Sequence, residues 1–408
     1  MLAAIPDRLE PWSVDTEAAK RKAAEVVGRR QDDLVALSHA LHADPELGFE
    51  EERSAERVAG MLADGDLVTE RGVCELPTAF VASAGQGPLT LAICAEYDAL
   101  PGIGHACGHN VIAAAAVGAG LALAPLADDL GLTVRILGTP AEEGGGGKIL
   151  MLERGAFNGV DAAMMVHPAP TELPQMPCLA VAHVEVRYTG KEAHASAYPE
   201  QGLNAADALT VTQVSVGLLR QHLRHREQVH GIVTHGGDAP NVIPAHTAAR
   251  YYVRAPSLAE LEDLEPKVWR CFEAGALATG TSLEIERKSP NYSEFVADEE
   301  MLAVYRRNAV ALGRRFSETG GSAMGGSTDM ANVSLALPAI HPMLGIDSLP
   351  AVNHQPAFAA AAASRAADQA VHDGALAMAW TAIDLALDPG HRDRLKTRRA
   401  QGRPTSAA

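Results

Sequence analysis

The stretch LTLAICAEYDALPGIGHACGHNVIAAAAVGAGLAL, residues 89–123, reads as a buried strand, a polar turn and an Ala-rich helix. The strand, Leu89–Ala95, is apolar throughout, as strands covered on both faces are. It runs straight into Glu96-Tyr97-Asp98. Two later segments repeat the plan. Leu132–Gly138 reads as a strand and runs into Glu142-Glu143, and Asp161–Val166 runs into His167. Strands that alternate with helices imply a mixed, largely parallel sheet flanked by helices. In such sheets the active site forms at the carboxyl ends of the strands. The three polar strand ends would therefore meet at one edge.

Outward from this core, Thr16–Ala43 has a helical stripe of Leu34, Leu37 and Leu41, and Glu50–Leu62 reads as a second helix. Thr78–Ala84 reads as a strand and Gly147–Arg154 as a helix. After that the order changes. Strands at Leu179–Tyr188, Val229–His235, Ala248–Arg254 and Thr281–Arg287 enclose helices at Gly202–His222 and Leu258–Ala276. That is β-α-β-β-α-β, the ferredoxin-like order, and it reads as an inserted domain. The expected division is residues 1–177 and 291–408 as two parts of one domain, with 178–290 inserted as a lid. Ala357–Leu387 reads as a final Ala-rich helix, and Lys396–Ala408 as a frayed tail.

Composition limits the function. The chain has 408 residues, 47% of them hydrophobic, which is ample for two or three domains. Its formal net charge is −17 and only 4% of residues are aromatic. A strongly acidic surface repels phosphate backbones, so no nucleic-acid partner is expected. Val111–Leu126 is the most apolar run and reads as a buried helix, so no membrane partner is expected either. Met1–Asp15 mixes proline with acid and reads as no targeting leader. Five scattered cysteines are no disulfide framework. The expected location is the cytoplasm.

The polar clusters carry the chemistry. Cys107 and His109 stand two residues apart at the head of the Ala-rich helix. Zinc accepts both ligand types, although the pair alone also suits a helix start with a buried thiol. Pro140-Ala141-Glu142-Glu143 precedes four glycines and Lys148. Adjacent carboxylates point different ways, so one can hold a cation while its neighbour moves protons. A phosphate-binding loop would need Ser or Thr after Lys148, and Ile149 stands there. His167 and His354 each mean little alone. With Cys107, His109 and Glu143 they make five metal-type ligands, and Asp98 and Glu142 remain for acid–base work. That inventory suits a two-metal hydrolase.

Taken together, Asp98-Ala-Leu-Pro101, His105-Ala-Cys-Gly-His109, Pro140-Ala-Glu-Glu-Gly144, His167 and His354 resemble the dinuclear metallopeptidases that include aminoacylase, hippurate hydrolase and the auxin-conjugate amidohydrolases (peptidase family M-twenty). The resemblance runs from about His39 to the last helix. It is closest to the branch of p-aminobenzoyl-glutamate hydrolase and the β-alanyl-lysine dipeptidases. It implies two divalent ions, zinc or manganese. Cys107 would bridge them, and His109, Glu143, His167 and His354 would complete the ligand set. Glu142 would be the general base, and Asp98 would orient a ligand. One position departs from the familiar zinc members. Where they carry a histidine two residues before the aspartate, this chain has Glu96.

The inserted segment matches as well. Gly190–Ser196 resembles the family's lid motif, which implies a homodimer in which His194 reaches the partner's site. Asn241, within His235–Pro244, and Arg250 resemble the residues that hold the substrate carboxylate. Taken alone, Asn241 also suits a turn and Arg250 a solvated strand position. Ser327-Thr328-Asp329 resembles a supporting loop. The function implied is cleavage of the amide bond of a small N-acyl amino acid or dipeptide-like substrate with a free carboxylate. Two alternatives stand beside it: a metal-free cysteine hydrolase using Cys107, and a non-catalytic binding protein on the same scaffold.

Overall fold

The computed structural model describes residues 14–316 and 325–401. The expected leaderless stretch before Val14 and the tail after Gln401 lie outside the described residues. In chain order the elements begin with α1 (Thr16–Ala43), α2 (Glu52–Ala63), β1 (Val68–Arg71), β2 (Phe80–Ala84), β3 (Leu89–Ala95), α3 (His109–Leu123), β4 (Leu132–Gly138), α4 (Gly147–Glu153), β5 (Ala162–Met164) and β6 (His167–Ala169). They continue with β7 (Ala180–Thr189), α5 (Ala205–Leu219), β8 (Gln228–His235), β9 (His246–Ala255), α6 (Leu258–Thr279) and β10 (Ser282–Arg287). Last come α7 (Glu299–Ala311), α8 (Met330–Ala336), β11 (Ala339–Ile340), β12 (Met343–Gly345), α9 (Pro356–Ala361), α10 (Arg365–Leu387) and α11 (Pro389–Gln401).

The larger sheet has the order β1-β2-β4-β3-β5-β11. β4, β3, β5 and β11 pair in parallel, and β1 and β2 are antiparallel at one edge. β3 lies in the middle with all seven residues buried, which its unbroken apolar run requires. α3 is buried at every position and packs between α1 and α10. Its alanines allow that close approach from several sides.

The smaller sheet, β10-β7-β9-β8, is antiparallel throughout. β7-α5-β8-β9-α6-β10 is the ferredoxin-like order, and α5 and α6 cover one face. Ala182, Val184, Val186, Val253, Leu264 and Phe272 form part of a separate core there.

Three expectations change. The strand expected to end on His167 stops at Met164, and His167 opens β6 in a separate two-stranded sheet with β12. Tertiary pairing decides this, because the apolar run of Ala162–Val166 continues past the break. The long helix from Ala357 is two helices, α9 and α10. Ser364 caps the second by accepting from the Ala367 N–H at 3.3 Å, the preferred role of serine at a helix start. Lys396–Gln401 belongs to α11 rather than to a frayed tail.

Candidate metal centre

The expected strand ends converge. β3 delivers Glu96 and Asp98, and the loop after β4 delivers Glu142 and Glu143. The start of α3 brings Cys107 and His109, β6 brings His167, and the turn before α9 brings His354. Gly108 makes the turn into α3 with φ +79°, and a Cβ there would lie 2.9 Å from Pro168. Any side chain would push β6, and with it His167, away from the cluster. Ala141 (φ 54°) and His354 (φ 67°) are also left-handed, which costs non-glycine residues roughly 1–2 kcal/mol each. Both flank or carry candidate ligands, a common place for strain.

His109 Nδ1 lies 3.0 Å from Asp98 Oδ1. That fixes the tautomer and turns Nε2 into the cluster, as ligating histidines are usually held. The other Asp98 oxygen accepts from the Glu143 N–H at 2.9 Å, so one aspartate orients two ligands. Cys107 Sγ lies 3.6 Å from His167 Nε2 and 3.5 Å from His354 Nε2. His354 Nε2 is 3.5 Å from Glu143 Oε1. Three sets of donor atoms are grouped closely enough for an ion: Cys107, His109 and His167; Cys107, Glu143 and His354; and Glu96, His109 and Glu142. Cys107 belongs to two of them, as a bridging ligand would. His109 Nε2 and Glu143 Oε1 are buried without hydrogen-bond partners. Buried polar atoms are rarely left so, and divalent cations fit this set of donors.

The electrostatics agree. Burial pushes His167 down to about 4, so its imidazole is neutral, the form that binds metals. Burial, reinforced by Glu143 and Glu96, holds the Glu142 carboxyl well above the carboxylate range. Burial, reinforced by Glu143, raises the Cys107 thiol well above its ordinary value. A metal-free cysteine nucleophile needs the opposite shift.

Several residues that matter to the site have no site role in the sequence reading, or only a minor one. Lys148 is fully buried, with Nζ 2.5 Å from Glu96 Oε1 and 2.6 Å from Asp329 Oδ1. Glu51 is buried and accepts from the Ala141 N–H at 2.8 Å, which props the strained residue before Glu142. Tyr292 donates to the Glu142 carbonyl at 2.6 Å. Its ring meets His183 of β7 at 5.2 Å, so the smaller sheet touches the residue that holds the Glu142 loop.

His194 and Asn241 lie together on the lid. The Ala195 N–H donates to the Asn241 carbonyl, and the Ile243 N–H to that of Ala193. Both side chains are exposed. Among the described residues no hydrogen bond, ion pair or ring contact joins either to the Cys107 cluster.

The two lid arginines part company. Arg250 is exposed and held by Glu185 at 2.9 Å. Arg254, on the same face four residues on, lies about 13 Å further toward the larger domain at ~3.3 Å per residue. It donates to Ser327 Oγ at 2.6 Å, beside the Asp329 that holds Lys148. Burial lowers its pKa, and among the described residues no carboxylate pairs with it. A desolvated guanidinium without a carboxylate partner suits a substrate carboxylate.

Residues 92–372 match peptidase family M20/M25/M40. The chain belongs to that family. It is 40% identical to the mouse (Mus musculus) Xaa-Arg dipeptidase over 405 residues, covering 92% of this chain and 91% of the relative. It is 38% identical to the human (Homo sapiens) Xaa-Arg dipeptidase over 396 residues, 92% of this chain and 90% of that one. A dinuclear metal-binding peptidase of the same family from Bacillus subtilis superposes with TM-score 0.64 at 23% identity, covering 88% of this chain and 99% of the other. This member of the family is a metallo-hydrolase of amide or peptide bonds, with a lid sheet inserted into its α/β fold.

Proposed function

We propose that this chain cleaves the amide bond of a dipeptide or N-acyl amino acid with a free carboxylate. The observation that carries the reading is the meeting of Cys107, His109, Glu143, His167 and His354, from distant segments, around His109 and Cys107. Two divalent ions, zinc or manganese, held by these five residues would polarise the scissile carbonyl and make water a nucleophile near neutral pH. Glu142 takes the proton from the attacking water and returns it to the leaving nitrogen. Tyr292 and Asp98 hold the base loop and the ligands in register. His194 of the partner subunit donates to the developing oxyanion.

Arg254 takes the place expected for Arg250 in binding the substrate carboxylate, with Asn241 beside His194 as a second anchor. The name of the mouse and human relatives puts dipeptides ending in arginine first on the substrate panel, with p-aminobenzoyl-glutamate, hippurate and N-acetyl amino acids after them. The homodimer forms through the lid, where β8 is an edge strand with Ile232 and Val233 exposed, and α5 exposes Val214 and Leu218. An unpaired apolar edge is a ready pairing surface. The five free thiols fit a reducing cytoplasm.

The test is a hydrolysis screen with chelated protein reloaded with Zn²⁺ or Mn²⁺. Chelation should abolish turnover, and one of these ions should restore it. Elemental analysis should find two ions per chain, and Cys107→Ala should lower that number. Full metal content in Cys107→Ala would remove the bridging thiolate from the reading.

The carboxylate anchor has its own test. Arg254→Gln should raise KM tenfold or more for carboxylate substrates, since a charged hydrogen bond is worth about 1.5–3 kcal/mol. A larger rise in Arg250→Gln would return the role to Arg250.

A further inference from the structure

The geometry points to Glu96 as a further metal ligand beside His109. This rests on the dinuclear reading of the site. Glu96 stands at the end of β3 and is fully buried. Its Oε1 is bound by Lys148 at 2.5 Å, while Oε2 faces His109 Nε2 at 3.3 Å. That nitrogen is buried and has no hydrogen-bond partner, because Asp98 occupies the other side of the ring. Glu142 Oε2 lies 3.9 Å from the same nitrogen.

Charge balance supports the assignment. Lys148 Nζ is shared with Asp329, which also accepts from the Lys148 backbone N–H at 2.8 Å. Two carboxylates and one ammonium leave one negative charge in a region without solvent. An uncompensated buried charge is costly. A cation on His109 Nε2 compensates it, and the Lys148 clamp aims the free Glu96 oxygen at that cation.

Glu96 then adds one carboxylate oxygen to the position at His109, as Glu143 does at the position beside His354.

Equilibrium dialysis of the full chain against Zn²⁺ and Mn²⁺, read by elemental analysis, tests this without a substrate. Glu96→Gln leaves the Lys148–Asp329 pair intact and keeps an oxygen for Lys148, so the region stays balanced. Wild type should take up two ions. Glu96→Gln should keep one ion and bind the second at least tenfold more weakly. Equal affinity for both ions in the two proteins, or equal loss of both ions from Glu96→Gln, would overturn the assignment. Should Glu96→Gln fail to fold, Glu96→Asp decides: one weakened position alone supports the proposal, and wild-type affinity at both positions overturns it. A wild-type chain that takes up no ion overturns the dinuclear reading along with it.

Discussion

Glu142→Gln is expected to keep both metal positions filled while turnover falls by about two to four orders of magnitude, the range general acid–base catalysis supplies. The substitution is isosteric and removes only the group that accepts a proton. The Glu142 backbone is held by Tyr292 through its carbonyl, which the mutation does not touch. Glu143 is placed differently. Its N–H is pinned by Asp98, and its carboxylate faces His354. Glu143→Gln should therefore lose metal along with activity, because a neutral amide is a poorer ligand. Turnover and metal content measured side by side separate the neighbours. Near-normal turnover in Glu142→Gln, or metal loss matching that of Glu143→Gln, would mean the two roles are wrongly assigned.

That Glu142 and Glu143 face different partners is legible in the sequence, because adjacent residues on a tight loop point apart. So is the sheet edge on which they lie, since β3 and β4 are unbroken apolar runs that end in acid. His167 is legible as a site residue but not as the start of β6. Its strand pairs with Met343–Gly345, about 176 residues away, and no local pattern carries that partner. From sequence, Lys148 does no more than help exclude a phosphate loop. Its meaning lies in Asp329, 181 residues on, and in Glu96, which from sequence is only a departure from the family. Arg250 and Arg254 share a strand face, so alternation cannot rank them. Only distance along β9 and the carboxylate at Glu185 do so.

Mixing two dead variants should restore activity, and that outcome depends on the lid. His194 lies in the exposed patch it shares with Asn241, without contact to the Cys107 cluster of its own chain among the described residues. In the proposed dimer, a histidine placed there serves the oxyanion at the partner's site. A two-fold dimer makes the exchange reciprocal, so each site draws on both chains. His194→Ala and Glu142→Gln should each be nearly inactive alone. Unfolded together and reassembled, a mixed dimer holds one site with an intact Glu142 and an intact His194 from its partner. Random equal mixing makes about half the dimers mixed, each with one working site of two, so activity should return to roughly a quarter of wild type. If His194 served its own chain, every site in the mixture would lack one of the two groups and nothing would return. Mass measurement that shows mixed dimers without activity would therefore place His194 outside the partner's site.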